Sequence, residues 1–124
     1  MTGLEQPEAR IAMCKCKEMS GETYGVRFQK ADKGWIYTWA FEMDTGTAKR
    51  EGYDSTEITG SINPDKEYPG CPFCGTRHFI ICCSCHHLNC QIVHKELFTC
   101  GWCGNSGKIV DYDGFGIKSG GDRN

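Results

Sequence analysis

The spacing of the cysteines constrains the fold of this chain more than any other feature. Ten of its 124 residues are cysteines, and the motif Cys-x-x-Cys-Gly occurs twice, as CPFCG from Cys71 and as CGWCG from Cys100. Two residues between the cysteines let one tight turn direct both sulfurs at a single ion, and the glycine supplies a positive-φ position beside it. Twenty-five residues separate Cys74 from Cys100, which is enough for a strand, a reversal and a returning strand. This spacing is typical of a zinc ribbon, in which Cys71, Cys74, Cys100 and Cys103 share one Zn²⁺.

Metal sites are favoured over disulfides by the compartment that the sequence indicates. The N-terminal segment MTGLEQPEAR resembles no secretory signal, and no apolar run approaches the ~20 residues of a membrane span. We therefore expect a cytoplasmic protein with no membrane segment, in a reducing environment where structural disulfides are rare. Leu, Ile, Val and Phe together number only 21, while the formal charge of −2 is too small for a disordered chain. Metal–thiolate bonds are expected to replace part of the missing core.

A second cluster of potential ligands lies between the two motifs, in the segment CCSCHHLNC. Cys83, Cys85 and Cys90 can converge on a second Zn²⁺ if the chain curls, but structural zinc needs four ligands. If a strand runs through residues 79–83, Cys82 alternates to the face opposite Cys83 and is expected to be a small buried hydrophobic residue. The residue pattern leaves the fourth ligand open among six candidates: Cys82, His86, His87, His94, Cys14 and Cys16.

The rest of the chain predicts a small β-rich domain, an antiparallel β-meander packed on the zinc-ribbon-like module with its second zinc site. Strands are expected at residues 11–19, 24–30 and 35–43, separated by turn signals. In the third strand, aromatic residues and a methionine recur at every second position and are predicted to form the core rather than to stack nucleic-acid bases: Trp35, Tyr37, Trp39, Phe41 and Met43. Four regions follow: a flexible N-terminus (1–10), the meander with its connector (11–68), the two-metal module (69–113) and a flexible tail (114–124).

One known family has a similar order of motifs. The succession YGVRF, WIYTWAF, EGYD, ITGS, YPGCPFCG, C-x-C-x4-C and CGWCG resembles the C-terminal metal-binding domain of TerY-type tellurium-resistance proteins over roughly residues 14–110. The resemblance implies that an N-terminal cysteine, Cys16 or Cys14, completes the second site and ties the meander to the ribbon. It implies eight ligands for two Zn²⁺ ions: Cys16, Cys71, Cys74, Cys83, Cys85, Cys90, Cys100 and Cys103. His86 stands where the family pattern has glycine, and the family's upstream von Willebrand A domain does not precede these motifs.

The function that the resemblance implies is a non-catalytic zinc-binding module that mediates protein–protein contacts in a bacterial tellurium-resistance or stress-response system. Its partner would be a protein, with a von Willebrand A domain protein as one candidate; the sequence does not indicate an oligomeric state. No nucleophile motif suggests an enzyme, and both predicted sites are closed, without the open position of catalytic zinc.

Three alternatives use the same cysteines. A nucleic-acid-binding zinc ribbon needs a basic face, but residues 66–124 hold six Lys/Arg against five Asp/Glu, and eight thiolates with two Zn²⁺ take the formal charge from −2 to about −6. In a RING-like ubiquitin-ligase-type module, the CPFCG cysteines share an ion with His87 and Cys90, although the gaps are short for that cross-brace. A rubredoxin-like iron site gives the second cluster no role.

Overall fold

The computed structural model describes residues 8–16, 22–32, 34–44, 46, 50–53, 56–90, 97–109 and 116–121. The protein is β-rich, and the strands in this part of the chain are β1 (Ala9–Cys16), β2 (Thr23–Ala31), β3 (Gly34–Glu42), β4 (Thr56–Ile58), β5 (Ile62–Pro64), β6 (Phe79–Ile81), β7 (Leu88–Cys90), β8 (Leu97–Thr99), β9 (Ser106–Lys108) and β10 (Ile117–Gly121). A search of the same residues finds no helix with the length and apolar character needed to cross a membrane.

Strand β1 organises the main sheet. β1, β2 and β3 pair antiparallel in chain order and form a meander, β5 adds in parallel to β3, and β10 and β4 extend the sheet beyond β1. Of the residues of β1, only Arg10 and Ile11, near its beginning, pair with β10. The end of β1 pairs in parallel with β7, where Cys16 lies opposite Cys90. β1 therefore connects the meander to the cysteine-rich half of the molecule.

Part of the predicted flexible tail is a strand of this sheet. Residues 117–121 form β10 between β4 and β1, and the side chains of Ile117 and Ser119 are fully buried. Glycines in this segment suggested flexibility, but they permit close packing instead: a Cβ on Gly120 would lie 2.3 Å from the carbonyl oxygen of Gly52. The N-terminal boundary also differs from expectation, because Ala9 and Arg10 already belong to β1.

Truncation of Ile117 tests whether β10 is part of the core. We expect Ile117→Ala to lower the free energy of unfolding by about 2–5 kcal/mol, the usual cost of a cavity in place of a buried isoleucine. Ile109→Ala is the matched control, because Ile109 is exposed and its truncation should cost under about 0.5 kcal/mol. Urea unfolding of both metal-loaded variants measures the difference, and equal effects would exclude β10 from the folded core.

The aromatic strand does not present all its large side chains to the core. Trp35 and Tyr37 contribute to the core, whereas Trp39 is 55% exposed. The register explains the difference, because Phe28 pairs with Tyr37 but Arg27 pairs with Trp39. The extra residue, Thr38, forms a β-bulge that reverses the inward and outward positions. The prediction that the whole stripe is core was therefore wrong for Trp39, and Phe41 and Met43 are half-buried outside the two core clusters.

Two hydrophobic clusters contain most of the cysteines. The larger lies between the sheet and the CPFCG segment and combines Tyr24, Phe28, Leu88 and Ile117 with buried thiols. Tyr37 contacts Tyr68 and Phe79 there in edge-to-face geometry, with ring centroids 4.9 Å apart in both pairs. The smaller cluster consists of Cys82, Phe98 and Cys100. Sulfur atoms thus occupy core positions in both clusters.

Candidate metal centres

Three turns of the chain share one hydrogen-bonding pattern, and each begins with a cysteine. In the CPFCG, CCSCH and CGWCG turns, the carbonyl of the first cysteine accepts a hydrogen bond from the N–H four residues later, at 2.9, 2.8 and 3.0 Å. The sulfur of that cysteine accepts the N–H two residues later, at 3.4, 3.4 and 3.3 Å. Since the geometry is the same, Cys82 and Cys85 form a third Cys-x-x-Cys turn beside the two that the sequence analysis identified.

The fifth residue of every turn has a positive φ angle. Gly75 and Gly104 have φ values of 79° and 80°, and His86 has 63° in the corresponding position. For a non-glycine residue this conformation costs about 1–2 kcal/mol. His86 makes compensating contacts, because its Nδ1 lies 3.0 Å from Glu57 Oε1 and its carbonyl accepts the Lys118 N–H at 2.9 Å. His86 therefore ties the CCSCH turn to β4 and β10.

The cysteines converge in two groups of four, and all sulfur atoms within a group lie within 4.8 Å of one another. The inner site consists of Cys16, Cys71, Cys74 and Cys90, and the outer site of Cys82, Cys85, Cys100 and Cys103. Three sulfur pairs lie 3.6 Å apart. A tetrahedron with Zn–S bonds of about 2.3 Å has edges of about 3.8 Å, so both groups match the size of a zinc–thiolate centre.

Long-range strand pairing builds the inner site. Cys16 ends β1 and Cys90 ends β7, and the parallel pairing of these strands brings the two residues together. The CPFCG turn then supplies Cys71 and Cys74, with the Sγ atoms of Cys74 and Cys90 3.6 Å apart. Three of the four ligands are buried, and the fourth, Cys74, is partly exposed. This site joins the meander to the cysteine-rich half.

Two hairpins build the outer site. The CCSCH turn connects β6 to β7 and provides Cys82 and Cys85, and the CGWCG turn connects β8 to β9 and provides Cys100 and Cys103. Each hairpin closes at its turn, where the first cysteine donates its N–H to the carbonyl five residues later. Cys103 is exposed, whereas Cys82 and Cys100 are buried. The outer site is the more accessible of the two.

The ligand groups differ from the predicted pairing. The CPFCG and CGWCG cysteines do not lie in one group, since the first pair belongs to the inner group and the second to the outer group. Cys83 is exposed and belongs to neither group. Cys85, which was expected to share a site with Cys83 and Cys90, lies with Cys82 in the outer group, whereas Cys90 lies in the inner group. The reason is that β6 ends at Ile81, so strand alternation does not extend to Cys82, which begins a turn instead.

The remaining candidates for a fourth ligand lie outside both groups or outside the described residues. Cys14, His86 and His87 are in neither group, and His94 falls in a segment that the structure does not describe. Because His87 lies outside both groups and Cys16 lies in one of them, the arrangement of the sulfur atoms also departs from a RING cross-brace. The signal for Cys82 was present in the sequence as Cys82-x-x-Cys85, but the overlapping Cys83-x-Cys85 obscured it.

Asn89 links the two sites, and sequence analysis did not identify it. It is fully buried in β7, next to Cys90 of the inner site. Its amide nitrogen donates to the Sγ of Cys100 at 3.4 Å, and its amide oxygen accepts the Gly101 N–H at 2.8 Å. Beside it, the Trp102 indole donates to the Leu88 carbonyl at 2.7 Å. These bonds dock the CGWCG turn on the strand that carries an inner-site ligand.

Hydrogen bonding to sulfur favours thiolate at one position of the outer site. Burial acts to raise the pKa of the Cys100 thiol, but hydrogen bonds from backbone N–H groups of its own turn and from the Asn89 amide lower the pKa to about 7. Burial raises the pKa of Cys85, its neighbour at 3.6 Å, and also that of Cys71 in the inner site. Thiolates gathered at one point need a compensating cation, and a divalent metal ion bound to the group would supply it.

Removal of the Asn89 side chain tests this link. Asn89→Ala leaves the Gly101 N–H without its acceptor and Cys100 without a donor, so we expect a loss of about 2–4 kcal/mol in the free energy of unfolding. Asn63→Ala is the control, because Asn63 lies exposed on β5 and its replacement should stay within about 0.5 kcal/mol of wild type. Denaturant unfolding with bound metal provides the measurement, and an Asn89→Ala protein as stable as the control would contradict the link.

The chain matches no protein-family model, no curated protein and no solved structure. Its class therefore follows from its own geometry: a β-rich protein with two tetrathiol groups whose spacing is compatible with zinc.

Proposed function

We propose that this chain is a non-catalytic two-zinc module, in which the metal ions hold the fold together and the remaining surface contacts other proteins. The observation that carries the proposal is the composition of the two groups, each of which consists of four cysteine sulfurs. Structural zinc is closed and tetrahedral in this way, whereas catalytic zinc keeps one position for water or substrate. The two hairpins that meet at the outer site support a zinc-ribbon-like description of residues 79–108.

The positions of the sites suggest what the ions contribute. A structural zinc site supplies about 10–16 kcal/mol of apparent folding free energy at neutral pH, and a whole domain has a net stability of only about 5–15 kcal/mol. The inner site connects β1, the CPFCG turn and β7. Without an ion, the four sulfurs would no longer connect these three segments. Metal binding and folding should therefore be a single process.

Metal content and chelation test the proposal together. Native mass spectrometry of the purified protein should show two Zn²⁺ per chain, and the protein should be colourless. A chelator in excess should remove the strand signal from the circular dichroism spectrum, and added Zn²⁺ should restore it. An apoprotein with the spectrum of the metal-loaded form would contradict a structural role. A red protein with one iron per chain would assign the sites to rubredoxin-like chemistry.

The motif order similar to TerY-type proteins supports a protein partner and a place in tellurium-resistance or stress-response systems, as an analogy in sequence. The specific expectation is binding to a von Willebrand A domain of that class. Isothermal titration calorimetry of the zinc-loaded protein with such a purified domain tests this expectation. Absence of binding would contradict this choice of partner. It would not affect the two-zinc proposal, which metal content and chelation test separately.

A further inference from the structure

A cleft of about 340 Å³ lies beside the outer site, between two strands that belong to different hairpins. All three residues of β6 line one part of it, and all three residues of β9 line another. Ile62, Phe98 and Ile109 add apolar surface. The volume falls in the range of clefts that hold small ligands or short peptide segments.

Both strands present an unpaired edge within the described part of the chain. β6 pairs with β7 and β9 pairs with β8, and neither has a second neighbour among these residues. In β6, the Cys82 N–H bonds the His87 carbonyl, so by antiparallel alternation Ile80 faces β7 and the backbone groups of Phe79 and Ile81 point away from it. Cleft-lining strands with outward N–H and C=O groups are templates for another strand.

The same alternation applies to β9. The Cys100 N–H bonds the Asn105 carbonyl, and this makes the next hydrogen-bonded pair Phe98 with Gly107. The backbone groups of Ser106 and Lys108 therefore point away from β8. Two edges from two hairpins border one cleft, and the outer site fixes the hairpins to each other through Cys82, Cys85, Cys100 and Cys103.

The charge of the cleft selects the kind of segment that it accepts. Its described lining contains Arg77, His78 and Lys108 and no carboxylate. The Arg77 guanidinium donates to the carbonyl oxygens of Tyr68 and Asp65 at 3.1 and 3.2 Å, which fixes its position without neutralising its charge. Two Zn²⁺ on eight thiolates take the formal charge of the whole chain from −2 to about −6, and the outer site beside the cleft accounts for about −2 of it. Arg77 and Lys108 therefore supply the positive charge of the lining, which attracts a negatively charged partner segment and repels a basic one.

We propose that this cleft binds an extended acidic peptide segment of a partner protein, which adds as a strand to the edge of β6 or β9. This inference rests on the proposed function in protein contacts and identifies the cleft as the surface that makes them. Backbone hydrogen bonds to the two edges that lack a second neighbour among the described residues supply the pairing, the aliphatic lining contacts alternate apolar side chains, and Arg77 and Lys108 pair with the acidic ones. A nucleic acid fits less well, because its bases stack on exposed aromatic rings, whereas Phe98 in the lining is buried and Tyr37 and Phe79 are partly buried.

Binding of synthetic heptapeptides to the zinc-loaded protein of 124 residues tests the proposal. The probes are fluorescently labelled heptapeptides in which Glu or Asp alternates with Val or Ile. Fluorescence anisotropy measures their binding. Two matched sets carry Lys in place of the acidic residues or N-methyl groups on the backbone. We expect acidic peptides to bind, both matched sets to bind at least ~10-fold more weakly, and amide resonances of Phe79, Ile81, Ser106 and Lys108 to shift on binding.

Charge reversal at the cleft provides the control pair. Lys108→Glu should weaken acidic-peptide binding by about 10-fold or more, whereas Lys66→Glu changes the net charge equally at an exposed position outside the described lining and should leave the affinity close to wild type. Equal affinities for the two variants, shifts confined to other strands, or no binding by any acidic peptide would overturn the proposal. So would salt-sensitive binding of oligo(dT) at these amides, which would assign the cleft to nucleic acid. Zinc content, measured first, separates the cases: fewer than two ions contradicts the proposed function, and two ions without peptide binding contradicts this inference alone.

Discussion

Replacement of Cys16 by serine will remove one metal ion and unfold most of the sheet. Cys16 is the only inner-site ligand from the meander, and its pairing with Cys90 joins β1 to β7. Loss of the site forfeits much of the ~10–16 kcal/mol that a structural zinc contributes, more than the net stability of most small domains. We expect at most one Zn²⁺ per chain in native mass spectrometry and a large loss of strand signal in circular dichroism at room temperature.

Cys14→Ser is the matched control for this experiment. Cys14 lies two residues earlier on the same face of β1 and is equally buried, but it belongs to neither sulfur group. Burial raises the pKa of its thiol well above the usual range, so it is a neutral core residue. We expect two bound Zn²⁺ and a moderate loss of stability from the buried hydroxyl, about 1–3 kcal/mol. If Cys16→Ser keeps two ions and Cys14→Ser loses one, the N-terminal ligand is Cys14.

The local spacing of the cysteines predicts the kind of site in this protein, but it does not predict which cysteines lie together in one group. A Cys-x-x-Cys turn is closed by hydrogen bonds within six residues, which is why the CPFCG and CGWCG turns are recognisable in the sequence. The assignment of a turn to a site depends on strand pairing over long distances. Cys16 meets Cys90 because β1 and β7 run in parallel, and no pattern within either strand indicates this register. The ribbon pairing predicted for the two glycine-containing turns assumed that sequence similarity implied a common ion.

Two other differences between prediction and structure have separate causes. The CCSCH turn was hidden because His86 replaces the glycine and because Cys83 offered a second spacing to Cys85. The bulge at Thr38 could not be predicted from the sequence of β3, because it comes from one extra residue in the register between β2 and β3. Beyond it, the inward and outward positions of β3 are exchanged. The three strands of the meander, by contrast, follow from turn residues and alternation that act over neighbouring positions. Local rules therefore predict the strands and turns. The pairing register between strands decides which face of the sheet a residue lies on and which sulfur group a cysteine joins.

Replacement of Cys103 by serine will release the outer ion while the inner site and the meander remain intact. Cys103 lies on the hairpin of β8 and β9, a two-stranded sheet that is separate from the main sheet in the described part of the chain. An isolated hairpin of this kind is marginally stable in water. Besides the outer-site thiols, it is held to β1 and β7 by the Asn89 and Trp102 contacts and by the bond from Lys15 Nζ to the Gly101 carbonyl at 3.0 Å. We expect one Zn²⁺ per chain, retained strand signal, and loss of amide hydrogen-exchange protection confined to residues 97–109.

Cys83→Ser distinguishes ligand loss from the loss of any exposed thiol. Cys83 and Cys103 are both exposed, yet only Cys103 belongs to a sulfur group. The Cys83→Ser protein should therefore keep two Zn²⁺ ions and the exchange pattern of wild type. One ion in both Cys83→Ser and Cys103→Ser would restore the ligand set that the motif resemblance implied, because that set contains both residues. Global unfolding of Cys103→Ser would show instead that the outer ion supports the main sheet through Asn89, so that the two centres fold as one unit.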